Sequence, residues 1–209
     1  MVGEATREKI LRAFLALAAE RGMAAVTTRE LARVAGVNEV TIFRHFGDTA
    51  TLAREAVHHF QPAARIEAHR PVIDASTPQG CLEGLAGCLL LLHTLLQERP
   101  DLLQFGLADA VRYPEILDEL RQIPDAARRM LTRAFEQAAV QLRPEVDVDA
   151  EVLGLLGLLV LLAIWRSRRW LDLDDDQVRA LVTARLRPLL RNLPSSEQPR
   201  DAASTLTES

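Results

Sequence analysis

Apolar residues recur three and four positions apart along almost the whole chain, and no run alternates apolar with polar as a half-buried strand would. The pattern predicts an all-α protein, with helices over roughly 4–21, 28–35, 39–46, 49–60, 78–98, 101–111, 114–121, 124–142, 149–170 and 175–192. Punctuation residues support these bounds. Thr27 followed three positions later by Glu30 has the form of a capping box. Asn38 is placed to cap the next helix, and Gly22, Gly36 and Gly47 stand where helix C-termini favour a left-handed residue. Thr77-Pro78 and Pro124 read as helix openings, because proline at the first helical position loses no hydrogen bond. Asp174 with Gln177 forms a further capping pair. The segment 62–77 carries Pro62 and Pro71 without clean periodicity and marks a junction between a small unit, 1–60, and a larger helical body, 61–193. From Pro194 to Ser209 the chain is rich in Ser, Thr, Pro and Ala, which predicts a disordered tail, 194–209.

Within the small unit, Val26 to Phe46 reads VTTRELARVAGVNEVTIFRHF. An eight-residue helix ends at a glycine-containing turn, and a second short helix follows at once, which is the pattern of a helix-turn-helix. On the second helix Ile42 and Phe46 lie one turn apart and are expected to pack inward with Ile10, Phe14, Leu31, Val34 and Val37. Val40 and Arg44 then point away, flanked by Glu39, Thr41, Phe43 and His45. An outward Val-Thr-Phe-Arg-His surface is unusual for plain solvent exposure. In a major groove Val40 and Thr41 offer methyl contacts to thymine, Arg44 reaches guanine acceptors or phosphate, and Glu39 accepts from cytosine N4. The free amides at the two helix starts, near Thr27/Thr28 and Asn38/Glu39, suit phosphate oxygens.

These residues carry a resemblance. AFLALAAERGMAAVTTRELARVAGVNEVTIFRHFGDTATL is similar to the DNA-binding head of the tetracycline-repressor (TetR) family of bacterial transcriptional regulators. The resemblance implies an N-terminal three-helix DNA-binding domain with a larger C-terminal helical bundle for ligand binding and dimerisation. It places Thr28, Arg29, Glu39, Val40, Thr41, Phe43, Arg44 and His45 at DNA-contacting positions, with Thr27, Asn38 and Thr49 beside them. Two positions depart from the family pattern: Phe43 stands where Tyr is usual, and Thr49 where Lys is usual. The expected function is therefore a ligand-responsive repressor, released from a pseudo-palindromic operator by a small molecule. The departures favour an alternative, a small-molecule-binding or interaction module with a vestigial reading head.

Composition narrows the classes further. Hydrophobic residues make up 48% of the chain and aromatics 4%, so aromatic stacking platforms for single strands are not expected. The net charge is −4, divided as +1 over residues 1–60 and −5 over the remainder, which argues for a small cationic reading head rather than non-specific coating of nucleic acid. Lys9 is the single lysine. Cys81 and Cys88 lie seven apart in an apolar stretch and read as buried thiols in a reducing cytoplasm. The N-terminus is polar, and the longest apolar run, Val152 to Trp165, is shorter than a bilayer span, so no signal peptide and no membrane association are expected. His58 and His59 are adjacent and diverge on a helix, while Asp172, Asp174, Asp175 and Asp176 precede a helix start as capping residues do. Neither cluster is read as a metal site. No hydrolase elbow, phosphate loop or dinucleotide fingerprint appears, so neither enzymatic activity nor a cofactor is expected.

The body is expected to hold a ligand in a cavity lined partly by His93, Phe105, Tyr113, Met130, Phe135 and Trp165, polar tips in an apolar wall. Its last two helices, through residues about 149–192, are expected to form a homodimer interface. The first is apolar nearly all round, and Gly154 and Gly157 permit close helix approach. The second places Val178, Leu181, Val182, Leu186, Leu189 and Leu190 at helical spacing.

Overall fold

A computed structural model describes residues 2–109 and 113–193, so the 194–209 tail lies outside the described residues. Ten α-helices are present among them: α1 (Val2–Arg21), α2 (Thr28–Ala35), α3 (Glu39–Phe46), α4 (Thr49–Phe60), α5 (Ala63–Ala68), α6 (Pro78–Glu98), α7 (Pro100–Asp109), α8 (Pro114–Gln137), α9 (Val148–Ser167) and α10 (Asp175–Leu186). No strand forms among the described residues, and a lone antiparallel bridge joins Leu142 to Leu190.

Two cores organise the helices. The first gathers Ile10, Leu11, Phe14, Leu31, Ile42, Phe46 and Leu52 from α1–α4. It also takes in Leu102, Phe105 and Ile116, so α7 and the start of α8 support the N-terminal unit from beyond residue 60. The second lies between α5, α6, α8, α9 and α10, around Leu85, Leu89, Leu131, Phe135, Leu155, Leu159 and Val182.

The structure departs from the predicted elements in four places. Helices expected at 114–121 and 124–142 are one helix, α8, with Pro124 inside it. Proline removes one backbone hydrogen bond, but the buried stripe Ile116, Ala127, Met130, Leu131 and Ala134 runs past it, and that burial holds the helix together. The 62–77 junction contains α5, whose six residues are too few to show a period; Ala63 and Ile66 are buried, and the helix packs along α8. Glu30 does not complete a capping box: Thr27 accepts from the Glu30 amide at 3.2 Å, but the Glu30 carboxylate pairs with Arg21 at 2.6 Å instead. Asp174 and Gln177 do form one. Finally α10 stops at Leu186, followed by a 3₁₀ turn over Arg187–Leu189 that contains Pro188.

Two helices, α6 and α9, are long and apolar enough to cross a bilayer by length and composition, which the count of consecutive apolar residues had not indicated. Each packs on neighbouring helices here, α6 against α8, α9 and α10, and α9 against α6, α7 and α8. Glycine matters structurally in α6, where a Cβ on Gly80 would meet the Asp74 carbonyl oxygen at 2.6 Å. That contact lets the extended segment before α6 lie directly on the helix.

Candidate DNA-reading head and ligand cavity

Helices α2 and α3 are joined by a turn in which Gly36 adopts a left-handed conformation, φ 67°, that an L side chain rarely takes. Each helix start is capped: Asn38 accepts from the Val40 amide at 3.0 Å, and Asp48 opens α4 by accepting from Thr51 at 2.7 Å. That last hydrogen bond holds the Asp48 carboxyl below its ordinary range. Ile42 and Phe46 are buried, which fixes the rotation of α3 about its axis. Val34, expected inward, is 45% exposed because the buried stripe of α2 runs through Leu31, Ala32 and Ala35 instead.

Fixing α3 this way leaves Val40 71% and Phe43 54% exposed, with Arg44 beside them in solvent. Thr27, Arg29, Asn38 and Thr49 are exposed, whereas Thr28, Glu39, Thr41 and His45 are half-buried. Thr28 donates its hydroxyl to the Glu39 carboxylate at 2.9 Å, linking the two helices across the turn. Behind the head, Arg7 pairs with Glu55 and its guanidinium lies 5.6 Å from the Phe46 ring centroid, so these charges serve the fold. Arg29 and Arg44 have no acidic partner among the described residues and remain available to an anionic surface.

A cavity of about 340 Å³ opens in the body between α5, α6, α7, α8 and α9, within the size range of small-molecule sites. Its wall is formed by residues such as Ile66, Leu95, Leu96, Leu103, Leu120, Ala127, Leu156 and Val160, with Arg99 and Arg121 as its charged members. None of the six residues expected to line a cavity lies on this wall. Phe105 is fully buried and packs edge-on against Phe14 at 6.3 Å in the N-terminal core, where Tyr113 also packs. Met130 and Phe135 face the body core. His93 is buried at the α6–α10 side, its Nε2 3.4 Å from Gln97 Nε2, and Trp165 is half-buried near the end of α9. Large aromatic side chains close the cores, and leucines line the space between them. Leucine is too common in this chain for periodicity to single out those positions.

The cavity touches the link between body and head. Arg99 lies 4.1 Å from the Phe60 ring centroid at the end of α4, and Arg12 of α1 lies 5.3 Å from the same ring. His58 of α4 pairs with Glu119 of α8 at 3.1 Å. Sequence reasoning missed Arg99 and Phe60, since no local motif marks a contact 39 residues apart in the chain.

The fold and the head together define a helix-turn-helix protein with a helical body. Residues 10–56 match the model of the family described as bacterial regulatory proteins, tetR family. A curated relative, the uncharacterized HTH-type transcriptional regulator YvkB of Bacillus subtilis (strain 168), is 24% identical over 126 residues, covering 60% of this chain and 64% of the relative. The match thus spans less than two thirds of that relative's length. Among solved structures, NalD, the secondary repressor of the MexAB-OprM multidrug efflux pump in Pseudomonas aeruginosa, matches with a TM-score of 0.68 and 24% identity over 91% of this chain and 98% of that one. HlyIIR, a hemolysin II transcriptional regulator, matches with a TM-score of 0.60 and 15% identity over 90% of this chain and 98% of that one. At these identities the structural matches establish the shared fold.

Proposed function

We propose that this protein is a ligand-responsive transcriptional regulator of the TetR type, a cytoplasmic homodimer that represses by binding a pseudo-palindromic operator. The observation that carries the reading is the outward stripe of α3: Val40 and Phe43 exposed, and Arg44 unpaired, on a helix anchored from behind by Ile42 and Phe46. A helix held rigidly from one side, with methyl, aromatic and guanidinium groups on the other, suits base edges in a major groove. Thr27, Thr28, Asn38 and Thr49, at or beside helix starts, would position it on phosphates. The body would dimerise through α9 and α10, and a small molecule in the cavity would shift the two heads by binding the non-DNA conformation better.

A mobility-shift titration tests this, using DNA flanking the protein's own gene and a scrambled control at two salt concentrations. Tighter binding to the native fragment is expected. Equal, weak binding to both would instead favour the module with a vestigial head, to which the missing Lys at position 49 and Tyr at position 43 point.

A further inference from the structure

The body cavity is walled mostly by aliphatic side chains. Among the described residues that line it, Arg99 and Arg121 alone carry ionisable or hydrogen-bonding side chains; the rest are aliphatic residues, prolines and one glycine. Arg99 is committed to a partner, and Arg121 lies largely in solvent, its side chain 63% exposed. Arg99 is bound at both ends of its fork by Asp101, at 2.9 Å through Nε and 2.6 Å through Nη2, and its face lies over Phe60. Burial pushes the Asp101 carboxyl up, but the Arg99 hydrogen bond and charge outweigh it and hold it below its ordinary range, so this pair stays ionised and mutually compensated. Arg121 pairs with Asp118 at 3.3 Å on the surface.

Beside the cavity, one backbone acceptor of α8 lacks its usual helical partner. Pro124 has no N–H, so the carbonyl of Leu120, four residues earlier on α8, lacks its helical donor, and both residues line the cavity.

We propose that the cavity takes an uncharged lipophile with a single hydrogen-bond donor, the class of a medium-chain alcohol or a phenol. An aliphatic body replaces water against leucine side chains, which is favourable. A carboxylate would lose its hydration and find one guanidinium already neutralised by Asp101 and a second lying largely in solvent. An ammonium would find no carboxylate among the described residues of the wall. Burying either charge without a partner is costly. A hydroxyl needs little, and the Leu120 carbonyl supplies it. The proposal rests on the ligand-binding reading of the body and adds the chemistry of what it binds.

The test is calorimetric titration of the full chain with three probes of equal chain length at neutral pH: 1-decanol, decanoate and decylammonium. Decanol is expected to bind at least tenfold more tightly than either charged probe. Val160→Trp on α9 and Leu96→Trp on α6, both at lining positions, should each weaken decanol at least tenfold while circular dichroism stays helical. The comparison among probes on the unaltered protein stands even if a filled variant fails to fold. Decanoate or decylammonium binding as well as decanol would overturn the charge class while leaving a ligand-binding body. Decanol binding unchanged in folded filling variants would place the site elsewhere and overturn the proposal. No binding by any probe would overturn the proposal and remove support for the body as a ligand site.

Discussion

The Thr28 hydroxyl and the Glu39 carboxylate, 2.9 Å apart, join the first residue of α2 to the first residue of α3. The bond spans the turn of the helix-turn-helix and is partly shielded from water, so it ties the start of α3 to the start of α2. Thr28→Val keeps the shape and removes the donor. The head should lose about 1 kcal/mol of stability, the usual net worth of one such bond. Urea denaturation followed by helical dichroism reads this directly, and an unchanged midpoint would show that water replaces the hydroxyl at no cost.

Arg44 is exposed and unpaired on the face of α3 opposite Ile42 and Phe46. If it reads a base edge, Arg44→Ala should weaken operator binding by about 1–3 kcal/mol and relax preference at one base pair. Binding to operator and scrambled DNA at fixed salt measures both. An equal loss on the two DNAs would reassign Arg44 to phosphate.

Thr49 is exposed at the start of α4, next to its Asp48 cap. Thr49→Lys should tighten binding to all sequences alike and steepen the slope of log affinity against log salt by about 0.9, since a phosphate contact carries no sequence information. An unchanged slope would place position 49 away from the backbone of the DNA.

The head was legible in the sequence because its signals are local. Cap, turn glycine and inward pair all lie within a 21-residue window, and α2, α3 and α4 fall on their expected bounds. The body was legible only in its helices. Which leucines face a cavity and which fill a core depends on how α5–α9 cross, and that is set by contacts tens of residues apart. Pro124 shows the same limit: local chemistry opens a new helix there, whereas the buried stripe of α8 runs through it as one helix.

His93 is buried on α6, and burial first, then the nearby Arg166 charge, push its pKa below the ordinary 6.5, against a smaller opposing pull from Asp175. The unfolded chain then binds a proton that the folded one refuses. Stability is full above pH 6.5 and falls as pH drops below it towards the lower folded value. His93→Gln removes the titrating group, so its stability should fall less between about pH 6.5 and 5. Thermal unfolding at stepped pH checks the difference, and identical pH slopes would mean His93 protonates freely in the folded protein.

The dimer expectation changes most in its choice of residue. Leu186, Val182 and Val178 of α10 are 0–1% exposed within one chain, so they belong to the subunit's own core. Leu186→Glu would bury an unpaired charge there, costing about 3 kcal/mol or more, and would report on folding rather than assembly. The residues free to meet a partner are Leu153 at 72% and Leu161 at 40% on α9, and Leu181 at 44% on α10. Gly154 and Gly157 share the exposed side of α9, and a Cβ on either would meet nothing within 4 Å, so a second helix can approach closely there. Leu153→Glu places its charge in water in the monomer and in the contact in the dimer. It should leave helicity unchanged, shift the protein to monomer and reduce operator affinity steeply, because one head alone keeps a half-site. Light scattering with circular dichroism is the measurement, and a helical Leu153→Glu protein that stays dimeric would move the interface off this face of α9.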